Sequence, residues 1–209
     1  MNKKGKGVAV KEVLISILRN KKTTITEFRD ASEKLGFMLA IETAQFLEKG
    51  HLKIETPFEQ TDGVIFKNKV ILVPILRSGI ALLGPFIKFY SNATVGFFGV
   101  RRDEKTAKPI TYYHNFPPIN DSDNIIILDP TIATGGSLSA AINLLKEKGV
   151  KEEKIIFAGI IAAQYGFDLV KKSFPDIRII LLQKDAKLND AKFIIPGIGD
   201  FGDRYFGTE

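Results

Sequence analysis

Apolar residues recur at two different spacings along the chain, and each spacing predicts a different kind of element. Thr24 and Glu27 have the spacing of a capping box, and apolar residues then recur every three or four positions as far as Gly50. This pattern predicts a long amphipathic helix that begins after Thr24 and stops at Gly50. A shorter helix is predicted before it, in the segment VKEVLISILRN. We therefore expect residues 1–50 to form a helical N-terminal part.

From Lys69 onward, apolar runs alternate with amphipathic segments. The runs are almost continuous in Val, Ile and Leu, which predicts strands buried on both faces of a parallel sheet. The predicted strands are Lys69–Leu76, Thr94–Val100, Asn124–Asp129, Lys154–Ala163 and Asp176–Gln183. The predicted helices between them are Gly79–Tyr90, Gly136–Gly149 and Gln164–Ser173. This order predicts an α/β fold, in which ligands bind beyond the carboxyl ends of the strands.

Length and composition fit one globular domain. The chain has 209 residues, of which 44% are hydrophobic and 26% charged, and both values are ordinary for a single domain. No apolar run approaches the ~18 residues of a membrane span, and the basic N-terminus lacks the pattern of a signal peptide. The chain has no cysteine, which excludes disulfides and thiolate metal sites and fits a cytoplasmic protein. Its two histidines, His51 and His114, lack companion ligands for a transition metal.

The net charge of +6 is compatible with nucleic acid or with a small polyanionic substrate. The lysines are spread along the chain instead of forming one basic stripe, and this is the pattern of a solvated, mildly basic surface. We therefore expect no nucleic-acid partner.

The strongest local pattern is the segment Asp129–Ser137, between a predicted strand and a predicted helix. A helix N-terminus preceded by Gly135 and Gly136 suits a phosphate group, because its N–H groups are free and the backbone can come close. Thr134 and Ser137 add hydroxyl groups, and Asp129 can accept hydrogen bonds from ribose hydroxyls. No lysine follows the glycines, so this is not a P-loop. The alternative interpretation is a simple turn with Ser137 as the helix cap.

Two further segments follow predicted strands and carry arginine. Arg77 lies in a turn before Gly79 and is suited to clamp a phosphate or diphosphate, although a surface ion pair explains it equally well. Arg101 and Arg102 open a long polar loop, 101–123. Loops of this length in a compact domain are usually lids or binding loops. A plain flexible insertion is the alternative.

Near the C-terminus, Gly197, Gly199 and Gly202 spell G-x-G-x-x-G, the dinucleotide-binding pattern. Only seven residues follow Gly202, which we consider too few for a helix, a second strand or a ribose-binding acid. A Rossmann site is therefore excluded. Taken alone, the segment predicts a tight C-terminal turn.

In order, four motifs resemble those of the uracil phosphoribosyltransferase family. They are PILRSG (Pro74–Gly79), RDEKTAKPITYY (Arg102–Tyr113), DPTIATGGS (Asp129–Ser137) and IIPGIGDFGDRYFGT (Ile194–Thr208). The segments FRDASEKLGFMLAIET and IETPFEQTDG also fall where the family has similar residues. Each motif alone is of limited specificity, but the ordered set is highly specific and covers nearly the whole chain.

The resemblance implies a type I phosphoribosyltransferase fold in one domain, 1–209, with a parallel sheet flanked by helices. It also implies a flexible β-arm or lid over 101–123 and a C-terminal, uracil-binding hood over 184–209. The implied reaction transfers phosphoribose from 5-phospho-α-D-ribose 1-diphosphate (PRPP) to uracil and yields UMP and diphosphate. Mg²⁺ would be held mainly by PRPP and water. A homodimer or homotetramer is expected, with GTP as an effector.

The resemblance also assigns roles to residues. The implied catalytic residues are Asp129, Arg102 and Asp200. The implied PRPP contacts are Arg77, Arg102, Asp129, Pro130, Thr131, Ile132, Ala133, Thr134, Gly135, Gly136, Ser137 and Asp200. The implied uracil contacts are Ile194, Gly199, Asp200 and Phe201.

The chain departs from the family pattern at Phe201, where the family has alanine. A phenylalanine side chain directed into the base pocket would change base choice or activity. Two alternatives therefore stay open at this point. One is a different, substituted pyrimidine as substrate, and the other is a non-catalytic regulator on the same fold that senses nucleotides or binds RNA.

Overall fold

A computed structural model of the chain describes residues 9–102 and 109–208, without the side chain of Arg102. The helices in these ranges are α1 (Val10–Arg19), α2 (Ile25–Ala44), α3 (Ile80–Phe89), α4 (Gly136–Glu147), α5 (Gln164–Ser173) and α6 (Phe201–Phe206), with a 3-10 turn at Glu152–Lys154. The strands are β1 (Lys49–Glu55), β2 (Gln60–Phe66), β3 (Val70–Leu76), β4 (Thr94–Val95), β5 (Phe97–Arg102), β6 (Pro109–Asn115), β7 (Asn124–Leu128), β8 (Thr131–Ile132), β9 (Ile155–Ala163), β10 (Arg178–Asp185), β11 (Lys187–Leu188) and β12 (Ile194–Ile195).

The central sheet has the order β10-β9-β7-β3-β5-β6, with β4 beside β3 and β8 beside β9. All of its pairs are parallel except β5 with β6, which is antiparallel. The predicted α/β architecture is confirmed. The carboxyl ends of β3, β5 and β7 meet at one edge of the sheet because these strands are parallel neighbours.

Helices cover both faces of the sheet, and successive residues of each strand face opposite sides. In β3, Leu72 packs into a core with α1, α2 and α3, while Ile71 and Val73 pack into a second core with α4 and α5. In β7, Ile126 and Ile127 divide between the two cores in the same way. Two apolar faces explain why the strands are continuous hydrophobic runs.

Helix α2 begins as predicted and ends earlier than predicted. The capping box is confirmed: the Thr24 N–H donates to Glu27 over 2.8 Å, and the Glu27 N–H donates to Thr24 Oγ1 over 3.3 Å. The predicted end at Gly50 is wrong, because the helix stops at Ala44 and Gly50 lies in β1. There Gly50 pairs with Ile65, and a Cβ at Gly50 would come within 3.0 Å of the Ile65 side chain.

Strands β1 and β2 form a separate antiparallel hairpin that the apolar spacing did not predict. Nearly every residue of the hairpin is exposed. Leu52 and Ile54 alternate with polar residues in β1, but the apolar residues of β2, Val64, Ile65 and Phe66, are consecutive, so only one of the two strands has the alternation of a half-buried strand.

The predicted strand Thr94–Val100 is divided into β4 and β5 at Gly96. The Gly96 N–H donates to the Leu72 carbonyl over 2.9 Å, and a Cβ at this position would lie 2.7 Å from the Phe116 ring. The chain bends here because Phe116 occupies the space beside Gly96. The other predicted helices and strands are observed, with ends shifted by at most two residues.

Across residues 9–102 and 109–208, none of the helices has the length and apolar content needed to span a membrane.

Candidate active site

The end of β7 and the following loop form the first part of the site. β7 is buried throughout, and Asp129 follows it with only 9% of its surface exposed. Oδ1 of Asp129 accepts a hydrogen bond from the Thr131 N–H over 3.4 Å. The loop ends at Gly135, which has a φ of +83° and precedes the first residue of α4. No side chain caps α4 in the described residues, so its N-terminus keeps N–H groups for an anion.

Ser137 does not cap α4, and the interpretation of this loop as a simple turn capped by Ser137 is therefore wrong. Gly135 occupies the N-cap position, and Ser137 is the second residue of the helix. The Gly136 N–H donates to Thr134 Oγ1 over 3.4 Å. The hydroxyl of Thr134 thus lies at the start of α4, beside the N–H groups.

Burial changes the acidity of Asp129. It raises the pKa of this carboxyl from 3.8 to about 7, and the negative charge of Asp200 acts in the same direction, while the Thr131 N–H opposes both. A carboxylate next to a second carboxylate, in a place with little water, is a site that favours a cation.

The turn after β3 carries Arg77 and forms the second part of the site. The Gly79 N–H closes the turn on the Ile75 carbonyl over 2.8 Å, and a Cβ at Gly79 would lie 2.6 Å from the Ile75 nitrogen. Only glycine fits this turn without moving the backbone. The peptide bond between Leu76 and Arg77 is cis. Arg77 Nη2 lies 3.3 Å from Asp203 Oδ1, and the Arg77 side chain is 60% exposed, so its guanidinium can reach a ligand.

The C-terminal segment forms the third part. Strands β11 and β12 pair antiparallel, a cis Ile195–Pro196 bond follows, and Gly197 and Gly199 have φ values of +63° and +77°. Asp200 then caps α6, since its Oδ1 accepts a hydrogen bond from the Asp203 N–H over 3.0 Å. The expectation that too few residues remain for a helix is therefore wrong: the six residues of α6 suffice because Asp200 caps the helix and Gly207 ends it.

The three parts meet at one edge of the sheet. Arg77 of the second part contacts Asp203 of the third, and Gly202 lies close to Ser78, since a Cβ at Gly202 would be 3.2 Å from Ser78 Oγ. Asp200 of the third part acts electrostatically on Asp129 of the first. The Asp129–Ser137 loop, the Arg77 guanidinium and the glycine-rich C-terminal segment thus lie around one region of the sheet edge.

Comparisons with known proteins agree with this arrangement. A family model described as "Uracil phosphoribosyltransferase" matches residues 8–208. The chain belongs to the uracil phosphoribosyltransferase family. A protein named uracil phosphoribosyltransferase from Dictyoglomus turgidum is 40% identical over 193 residues, which is 92% of each chain. A protein of the same name from Geobacillus sp. (strain WCH70) is 40% identical over 196 residues, 93% of each chain.

Solved structures place the fold in the same class. The AQ2163 protein of Aquifex aeolicus is similar with a TM-score of 0.88 and 28% identity, over 98% of this chain and 97% of that chain. Adenine phosphoribosyltransferase from Trypanosoma brucei is similar with a TM-score of 0.54 and 13% identity, over 80% and 70% of the two chains. The second likeness concerns the fold alone. The type I phosphoribosyltransferase fold implied by the resemblance is confirmed.

Phe201, the departure from the family pattern, is directed into the protein core. Its side chain is 3% exposed, and its ring centroid lies 5.2 Å from that of Phe28 in α2 and 5.7 Å from that of Tyr205. The large side chain therefore fills space between α2 and α6. Only the backbone of Phe201 is left to contact a base.

The other residues assigned to uracil lie on both sides of the turn. Ile194 is half-buried in β12, where it pairs with Leu188, and Gly199 is exposed. Asp200 is half-buried between Gly199 and α6.

Arg102 is the last residue of β5, at the same sheet edge as Arg77 and Asp129. Its side chain and residues 103–108 lie outside the described residues. The predicted arm is described only from Pro109, where β6 pairs antiparallel with β5. The roles predicted for Arg102 and for a closing lid therefore stay predictions.

Sequence reasoning missed residues that shape the site without belonging to a motif. Gly166 in α5 packs against the Asp129–Ser137 loop, since a Cβ there would overlap the Ala133 carbonyl and come within 3.1 Å of the Gly135 nitrogen. Arg19 and Asp185 form an ion pair beside Gly197. Their partners are distant in the sequence, so no local pattern identifies them. Gly166 is the third residue of α5, after the end of β9 at Ala163, and no local pattern marked it.

Among the described residues, no group of three or more His, Asp or Glu side chains could hold a metal ion. Asp129 belongs to the Asp129–Ser137 loop, and Asp200 is close enough to act on it electrostatically.

Proposed function

We propose that the protein transfers the phosphoribosyl group of PRPP to uracil and releases UMP and diphosphate. The observation that carries this proposal is the meeting of the Asp129–Ser137 loop, Arg77 and the C-terminal segment at one sheet edge, in a chain of the uracil phosphoribosyltransferase family. Each of the three parts suits one part of the substrates. Salvage of a pyrimidine base would take place in the cytoplasm, because phosphorylated sugars do not cross membranes unaided.

PRPP would bind along the loop after β7. Its 5′-phosphate suits the uncapped start of α4, with Thr134, Gly135, Gly136 and Ser137 around it. The ribose hydroxyls suit Asp129, and the backbone of Pro130, Thr131, Ile132 and Ala133 lies between these two positions. The diphosphate suits Arg77, with Arg102 as the second cation.

Uracil would bind to the C-terminal segment. A neutral, flat base exposes N–H and C=O groups at its edge, and the exposed Gly199, with a φ of +77°, presents backbone groups with which such an edge can pair. Ile194, Gly199, Asp200 and the backbone of Phe201 are the proposed contacts. The inward side chain of Phe201 supports ordinary uracil as substrate, because it leaves the pocket free of a large ring.

The reaction would be a displacement at ribose C1. The bond from C1 to the diphosphate oxygen breaks, and the electron pair leaves with diphosphate. Uracil N1 forms the new bond to C1 from the opposite face, and its proton passes to the departing diphosphate. Arg77 and Arg102 would stabilise the charge that develops on the diphosphate, and Asp129 would orient the ribose. Asp200 lies where it can face both the base and the ribose. Exclusion of water would come from the arm that begins at Arg102.

Mg²⁺ is part of this proposal. Asp129 and Asp200 are carboxylates close enough to repel each other, and hard cations on phosphates prefer such oxygen ligands together with water and phosphate oxygens. Bound with PRPP, Mg²⁺ would supply charge neutralisation of the diphosphate. The same cation would favour the ionised form of Asp129.

A homodimer or homotetramer is also proposed. The β1–β2 hairpin supports it, because two-stranded hairpins are marginal alone and this one exposes Leu52, Ile54 and Ile65 on one face. Stimulation by GTP is proposed on the family resemblance alone, and addition of GTP to the assay tests it.

The first experiment is a product assay with purified protein, PRPP, Mg²⁺ and radiolabelled uracil, cytosine, orotate, guanine or hypoxanthine. The expected result is UMP from uracil and no nucleotide from the other bases. A product from another pyrimidine alone would change the substrate. If PRPP binds but no base reacts, the protein is not this enzyme. That result would favour the non-catalytic regulator, which the comparisons do not support.

A further inference from the structure

The end of α1 is joined to the end of β10 by an ion pair that has little contact with water. Arg19 donates to both carboxylate oxygens of Asp185, over 2.8 Å and 2.7 Å. The Asp185 side chain is 3% exposed and the Arg19 side chain 26%. Gln183 also donates to Asp185 over 3.2 Å. The pair is therefore bidentate and fixed in orientation.

The same pair holds both backbone groups of Gly197. The Gly197 N–H donates to Asp185 Oδ2 over 2.8 Å, and its carbonyl accepts from Arg19 Nη1 over 3.0 Å. Gly197 has a φ of +63°, and a Cβ there would overlap the Ile194 carbonyl. The turn between Ile194 and Gly199 is thus held in one conformation by two side chains from other elements.

A second arginine supports the same junction. Arg204 of α6 donates to the Leu18 carbonyl, to the Ile198 carbonyl over 2.7 Å and to the Asn20 carbonyl over 2.8 Å. Arg19 and Arg204 therefore both link residues 18–20 to residues 197–198. The junction links the end of α1 to the segment that carries Gly199 and Asp200.

Stability alone does not account for this arrangement. A buried ion pair is often no more stabilising than an apolar pair of similar volume. An apolar pair, however, cannot donate to a carbonyl and accept from an N–H of the same residue. The bonds with Arg19 and with the Gly197 N–H lower the pKa of Asp185, so this carboxylate remains charged at neutral pH.

We propose that Arg19 and Asp185 are positioning residues of the base site: through Gly197 they hold the backbone of Gly199 and Asp200 in the conformation that accepts uracil. This inference rests on the proposed function, and it extends that function to the N-terminal helix. The backbone that binds the base must be positioned accurately, because a misplacement of the reacting groups by about 1 Å can lower the rate roughly 100-fold.

The test compares Arg19→Lys, Arg19→Gln and the double variant Arg19→Gln/Asp185→Asn with wild type. The double variant avoids a buried, unpaired carboxylate and so guards against simple unfolding. Lys34→Gln is the matched control, because the Lys34–Asp30 pair has both side chains more than half exposed. KM for uracil, KM for PRPP and kcat are measured separately for each protein, together with amide hydrogen exchange of the peptide 194–203.

We expect KM for uracil to rise on the order of tenfold or more in Arg19→Gln and in the double variant, while KM for PRPP changes by no more than about twofold. Arg19→Lys should recover part of the loss, since lysine keeps the charge but not the bidentate geometry. Exchange in 194–203 should become faster in these variants and not in Lys34→Gln. Equal rises in both KM values, or unchanged exchange, overturn the inference. A wild type without activity refutes the proposed function, and the exchange data still test the positioning role.

Discussion

At the scale of single residues, Asp129 has properties that follow from its position at the end of a buried strand. Its carboxyl has a pKa of about 7 instead of 3.8, mainly because of burial and further because of the charge of Asp200. The folded protein therefore holds a proton at Asp129 that the unfolded chain releases at lower pH. Between these two pKa values the unfolded state binds fewer protons, so the free energy of unfolding falls as pH rises.

The replacement Asp129→Asn removes this titration. The quantity to compare is the free energy of unfolding of wild type minus that of Asp129→Asn. We expect this difference to be about 2–3 kcal/mol lower at about pH 8 than at about pH 5, because one pKa unit corresponds to about 1.4 kcal/mol. Urea unfolding of both proteins at the two pH values, without PRPP or Mg²⁺, measures the difference. Equal differences at both pH values would show that Asp129 titrates normally.

Asp200 combines a structural bond with its proposed contact to substrates. Its carboxylate caps α6 through the Asp203 N–H, and asparagine caps a helix about as well as aspartate. Asp200→Asn should therefore unfold at a urea concentration close to that of wild type, while kcat falls roughly 100-fold because the charge near the reacting centre is lost. Asp200→Ala should lose the cap as well, at a cost of about 1 kcal/mol. An Asp200→Asn variant with full activity would argue against a role for the charge.

At the scale of elements, α5 supports the Asp129–Ser137 loop through Gly166, the one residue of this helix without a side chain. A Cβ at Gly166 would overlap the Ala133 carbonyl, and a Cβ at Gly135 would lie 2.7 Å from Val170 of α5. Helix and loop thus touch through two glycines. The loop keeps its position because α5 is packed directly against its backbone.

Gly166→Ala should therefore move the loop. We expect KM for PRPP to rise on the order of tenfold and stability to fall by about 1–3 kcal/mol, the range of overpacked sites. Gly84→Ala is the control. Gly84 is an exposed glycine in α3, and no atom lies within 4 Å of the position that a Cβ would take. The stability of the Gly84→Ala protein should therefore stay within about 1 kcal/mol of wild type. Steady-state kinetics with varied PRPP and thermal unfolding give the two readouts. A normal KM for PRPP in Gly166→Ala would contradict this account of the loop.

At the scale of the whole molecule, the β1–β2 hairpin lies apart from the central sheet and has an uncovered apolar face. Leu52 and Ile54 lie on the side where Gly63 leaves space for them, and Ile65 lies on the same side. Their exposed fractions are 39%, 41% and 51%. An apolar surface on a two-stranded hairpin fits contact with a second copy of the chain.

The double variant Leu52→Lys/Ile54→Lys should shift the protein from dimer to monomer, because each lysine would have to lose water in the interface. Lys53→Gln changes the opposite face of the same strand and is the control. Sedimentation velocity of wild type and both variants at equal concentration measures the assembly state. The proposal fails if wild type sediments as a monomer, or if the double variant remains a dimer.

The sequence by itself determined the α/β order of elements and the three segments that carry the chemistry. Continuous apolar strands specify a sheet covered on both faces, and the glycines and hydroxyls after β7 predict an anion site, because these are properties of neighbouring residues. The wrong predictions concern contacts that neighbouring residues do not determine. Gly50 pairs with Ile65 and Gly96 lies against Phe116, and both partners are distant in the sequence.

Only the tertiary structure decided which residues meet. It placed the Phe201 ring against Phe28, away from the base segment, because α6 packs on α2. It joined Arg19 to Asp185 across 166 positions of sequence, and it brought Asp200 close enough to Asp129 to raise the pKa of that buried carboxyl. These contacts arise from the packing of the helices on the sheet, and the spacing of residues in one sequence does not predict them.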